Sequence, residues 1–161
     1  MQDSSIAKKH DDKPELDKQV TTIAWSELEN AYMWVSTSSF PDHRAFFCRE
    51  SGKSYWDGYD GLPEGEIPDD LEFNDKYRSV PNQYDLDVGK RLVLKLASEV
   101  MSDDYYFVRK VFSRSGAYSR WQDFLIEQEQ QENWYQYRDN AIKVALCNWA
   151  ESEGFQVDIT K

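Results

Sequence analysis

The stretch DYYFVRKVFSRSGAYSRWQDFL, Asp104–Leu125, decides how the carboxy-terminal half of the chain is built. Tyr105, Val108, Val111 and Phe112 recur at helical spacing, Ser113-Arg114-Ser115-Gly116 interrupts, and Tyr118, Trp121, Phe124 and Leu125 resume the period. The spacing predicts two helices meeting at a tight corner, with Gly116 suited to the left-handed conformation by which a chain leaves a helix. From Tyr105 to Gln122 there is no acid, but there are the bases Arg109, Lys110, Arg114 and Arg120. The 161-residue chain carries a formal charge of -11, so this corner inverts the local field. Backbone N–H groups opening the second helix add to its attraction for an anion.

Two readings of the corner compete. In one, the bases complement the helix dipole, cap its last carbonyls and pair with acids elsewhere in the chain. In the other, Arg109, Lys110, Arg114 and Arg120 hold a phosphate-bearing ligand, a nucleotide or single-stranded RNA, while Tyr118 or Trp121 stacks on a base. Tyr118 and Trp121 share the apolar stripe, so a role in the core competes with stacking.

Working outward, Leu86, Gly89, Leu92, Val93, Leu96, Ala97 and Val100 predict a central helix from Asp85. Gly89 costs such a helix roughly 1 kcal/mol against alanine and implies a close neighbour. After a polar run, Trp134, Arg138, Ala141, Ile142, Ala145 and Trp149 predict a long helix ending at Gly154, and Phe155, Val157 and Ile159 alternate as an edge strand would. Towards the amino end, Ser26 and Glu29 have the spacing of a capping box for a helix with Leu28, Ala31, Tyr32 and Val35 on one face. Arg44–Tyr59 reads as a β-hairpin turning at Gly52, with a third strand at Lys76–Val80 before Pro81. Met1–Val20 is polar and reads as a flexible tail. The fold class is therefore α+β: a flexible tail over 1–20, then a single domain over 21–161 with a small antiparallel sheet and about five helices.

Asp57–Asp75 is the opposite of the basic corner. It holds eight acids and no base: Asp57, Asp60, Glu64, Glu66, Asp69, Asp70, Glu72 and Asp75. Its prolines and glycines make it a loop. A solvated loop is the plain reading of a charge run, and a contact with a basic partner is the functional one. Asp57, Asp60, Glu64, Glu66, Asp69 and Asp70 are the candidate partner-binding residues. An EF-hand is excluded because Tyr59 stands where a ligand is needed.

Other chemistry is poorly supplied. SGKS at Ser51–Ser54 lacks the glycine a P-loop needs at Phe47 and sits between strands. A nucleophile needs a base, and His43 is the single histidine in the region expected to fold. Cys48 and Cys147 are far apart and form no C-x-x-C pair, which argues against zinc or a disulfide framework and suits reduced thiols in the cytoplasm. The amino end has no apolar run, so no secretory signal is expected, and no segment approaches the about 20 apolar residues that span a bilayer. No catalytic residue, cofactor or metal ligand is assigned, and the negative field disfavours bulk duplex DNA.

The segments TIAWSELENAYMWVS (22–36), FFCRESGKSYW (46–56), YDLDVGKRLV (84–93), RSGAYSRWQDFL (114–125) and NWYQYRDNAIKVALCNWAESEGF (133–155) occur in the order of a known family. Together they make the chain resemble a bacterial family catalogued as uncharacterised protein family one-five-eight. The resemblance covers nearly everything after the tail, and Arg-x-Gly-Ala-Tyr is its most specific motif. It implies a bacterial or phage cytoplasmic origin and no particular chemistry. The expectation is a non-catalytic interaction or regulatory module that presents its acidic surface to a basic or nucleic-acid-binding protein, in the extreme as a polyanion mimic. The alternative is a phosphate-ligand binder at the basic corner.

Overall fold

The computed structural model describes residues 20–37 and 42–161. The tail expected over 1–20 lies outside the described residues, Val20 excepted, as do Ser38, Ser39 and Pro41. In chain order the elements are β1 (Thr21–Ala24), α1 (Trp25–Val35), β2 (Arg44–Cys48), β3 (Ser54–Asp57), β4 (Tyr77–Ser79), α2 (Lys90–Val100), α3 (Tyr105–Val111), α4 (Ala117–Glu127), α5 (Gln131–Ser152) and β5 (Phe155–Asp158). Single 3-10 turns lie at Glu64–Glu66 and Ser102–Asp104. The fold is α+β, and its contacts divide into two compact units. One runs up to Val80 and includes Cys147–Lys161; the other is Pro81–Leu146.

In the first unit, β1 pairs in parallel with β5, from Thr21 opposite Phe155 to Ala24 opposite Asp158. This pairing holds the chain extended through Ala24, and α1 starts immediately after it. The expected capping box therefore does not form: Ala24 occupies the cap position without a side-chain hydrogen bond, and Ser26 falls inside the first turn. Leu28, Ala31 and Tyr32 are buried along the face the spacing predicted. A second sheet has the order β3-β2-β4, antiparallel throughout. The hairpin turns where Gly52 sits at φ 76°. Ala45–Cys48 on the central strand are all buried, and Phe47 meets Phe155 edge-on with 6.1 Å between ring centroids.

In the second unit, α2 begins at Lys90 rather than Asp85. The Asn82 side-chain oxygen accepts from the backbone N–H groups of Tyr84 and Asp85, both at 2.9 Å, and the Asp85 carboxylate accepts from Asn82 N–H at 3.0 Å. These reciprocal bonds satisfy the donors in a turn and compete with helix. The close neighbour implied at Gly89 is real, since a Cβ there would lie 2.9 Å from the Tyr118 hydroxyl. Val93, Ala97, Val108 and Leu125 are fully buried. Among them Trp121 and Trp134 meet edge-on at 5.7 Å, a favoured aromatic geometry. Among the described residues, no helix is long and apolar enough to cross a membrane.

Candidate functional site

The basic corner forms as two helices, α3 and α4, joined by Phe112–Gly116. Gly116 adopts φ 74° and has open space around it. Ser113 tightens the end of α3, its hydroxyl donating to the Lys110 carbonyl at 2.6 Å. Arg109 and Lys110 lie in the last turn of α3, where the dipole favours a cation. Arg109, Lys110 and Arg114 are exposed and make no ion pair or side-chain hydrogen bond among the described residues.

The other sequence candidates are engaged differently. Arg120 folds back and donates to the carbonyls of Ser115 at 2.8 Å and Val111 at 3.5 Å. These contacts tie the start of α4 to the linker. Tyr118 is 51 % exposed. Its ring stands edge-on to Phe112 at 5.5 Å, and its hydroxyl sits beside Gly89. Burial pushes this hydroxyl up from the ordinary phenol value, against the lowering field of Arg138. Trp121 is completely buried, so it is a core aromatic and no stacking platform.

Two residues that the helical period set aside are brought to the same surface. Tyr106 is 79 % exposed and Phe107 is 52 % exposed. Tyr106 precedes Arg109 and Lys110 by three and four positions, so the three share one face of α3. The available sequence signal was two aromatics falling off the apolar stripe next to two bases.

Arg44 partly neutralises the acidic loop. Arg44 on β2 bonds both Asp57, its cross-strand partner at the end of β3, and Glu72. These two carboxylates raise the Arg44 guanidinium further above its already high value. Asp60, Glu66, Asp69, Asp70 and Asp75 remain exposed. Leu71, nearly fully buried, anchors the loop, and the Asp70 carboxylate accepts from the Asn74 amide at 3.0 Å. Between these points Phe73 is 84 % exposed. Asp57, Gly58, Leu62, Ile67, Pro68 and Asp69 line an open cleft of about 450 Å³. The structure thus brings Asp57 and Asp69 of the partner-binding set to one cleft.

His43 is buried within the first unit. Its Nδ1 lies 3.1 Å from the Trp34 carbonyl and its Nε2 2.9 Å from the Tyr59 carbonyl. Both cysteines are free thiols, Cys48 buried and Cys147 half-buried. No protein-family model matches the chain, and no curated protein or solved structure matches it significantly.

Proposed function

We propose that this chain is a non-catalytic, cytoplasmic protein-interaction module of a bacterium or phage, and that its acidic loop receives a basic partner. The cleft between Asp57 and Asp69 carries this reading. Leu62, Ile67 and Pro68 line it together with Asp57, whose carboxylate is held by Arg44, and the exposed Asp69. A lysine or arginine side chain has the matching construction, an aliphatic stem with a charged head. The remaining exposed acids supply long-range attraction that accelerates encounter. Phe73, standing free of the core, offers the kind of aromatic contact that anchors interfaces.

The test compares the native chain with a loop variant carrying Asp60→Asn, Glu66→Gln, Asp69→Asn and Asp70→Asn, and with Leu62→Arg, which fills the cleft. Each is immobilised and challenged with a bacterial lysate at low and at raised salt. A protein partner should be retained by the native chain at low salt, be released as salt rises, and be lost in both variants. Equal retention by native and variant chains would remove the loop from the function.

A further inference from the structure

We propose that the outer face of α3 is a second binding surface, independent of the acidic loop, and that its ligand is a short single-stranded nucleic acid. The face is built from Tyr106, Phe107, Arg109 and Lys110, with Arg114 just beyond the helix end. Two observations meet here. The three cations are exposed and carry no anionic partner among the described residues, within a molecule whose charge is -11. Beside them stand two exposed aromatic rings, at 79 % and 52 %.

The helix dipole accounts for bases in the last turn of α3, but it does not call for rings on the same surface. Phe107 is braced by Phe124 at 4.9 Å, and Tyr106 by Tyr105 at 5.9 Å. Both rings are thus held while keeping much of their surface in solvent. Cations that track a phosphate backbone, alternating with rings that stack on bases, form the arrangement that single strands need. A duplex hides the faces of its bases, and an acidic peptide would satisfy the cations while leaving the rings idle. The overall negative charge repels a long polyanion, so the face suits a strand of a few nucleotides. Relative to the candidates taken from the sequence, the proposed face shares Arg109, Lys110 and Arg114 and takes Tyr106 and Phe107 in place of Tyr118 and Arg120.

The experiment follows the fluorescence anisotropy of a labelled oligouridylate of about five nucleotides, within the span such sites cover. A duplex of the same length and a polyglutamate peptide serve as competitors. The native chain should bind the single strand and be displaced poorly by either competitor. Tyr106→Ala should weaken binding roughly five- to a hundredfold, the range for one lost stack. Arg109→Gln with Lys110→Gln should weaken it and flatten its salt dependence. All the altered residues are exposed, and circular dichroism checks that each variant is folded. The proposal is overturned if the strand does not bind at low salt, if Tyr106→Ala binds like the native chain, or if polyglutamate competes as well as the oligonucleotide.

Discussion

The imidazole of His43 lies flat on the indole of Trp34, with 3.5 Å between centroids and 9° between planes. The Trp34 N–H in turn donates to the carbonyls of Arg44 at 3.1 Å and Asp57 at 3.3 Å. The pair therefore ties the end of α1 to the β2–β3 hairpin and to the start of the acidic loop. The stack thus fastens His43 to the end of α1. Replacing it with alanine removes the stack and the polar contacts together, which should cost about 2–3 kcal/mol. Urea denaturation reads this directly. A midpoint unchanged from the native chain would show that the pair carries no stability.

Gly154 and Gly116 both sit at positive φ, at 90° and 74°, but their surroundings differ. A Cβ at Gly154 would meet the buried Arg49 guanidinium at 2.5 Å, whereas one at Gly116 would meet nothing within 4 Å among the described residues. Gly116→Ala should therefore cost only the backbone term, about 1 kcal/mol. Gly154→Ala must also displace the buried Arg49 guanidinium and should cost more, about 2 kcal/mol. Thermal melts of the two variants, side by side, give the comparison. Equal losses would place the whole effect in the backbone.

Trp121 has an indole N–H that is buried without a hydrogen-bond partner among the described residues. Trp121→Phe removes that unmet donor while keeping most of the ring contact with Trp134, so it should cost no more than about 1 kcal/mol. Trp121→Ala leaves a cavity in the second unit's core and should cost about 4 kcal/mol. If the two variants melted alike, packing around Trp121 would not be limiting.

The phenols of Tyr118 and Tyr137 are both held above the ordinary value, chiefly by burial; Glu99 adds to the effect at Tyr137. Folding thus favours the protonated phenol. Its stabilising contribution is whole below the unfolded value of about 10 and disappears as pH climbs through the raised folded value. The chain should lose stability on the alkaline side, and Tyr118→Phe should lose less of it over the same interval. Denaturation midpoints across neutral and alkaline pH measure the difference. Identical slopes would mean that Tyr118 ionises as it does in water.

Elements built from local patterns were legible in the chain. The hairpin around Gly52, the third strand before Pro81 and the two helices flanking Gly116 follow from period and turn chemistry. What distant residues decide was not. Thr21 and Phe155 carry no local sign of each other, so the parallel partner of the final strand could not be read, and with it went the cap expected at Ser26. Asp85 has the right identity for a helix start, yet its carboxylate is already committed to Asn82. The sign of the basic corner was plain, but which bases stay available depends on the turn that lets Arg120 reach the Ser115 carbonyl. Tyr106 and Phe107 were passed over because aromatics off an apolar stripe look incidental until their exposure is seen.

The parallel seam between β1 and β5 has a mechanical meaning. Thr21 stands at one end of it and Asp158 at the other, on different strands. Tension applied to those two residues pulls the strands lengthwise past each other, so the bonds between them share the load and must yield together. Peeling, in which the bonds would break in succession, is denied by the strand direction, and the first unit is consequently clamped against stretching along this axis.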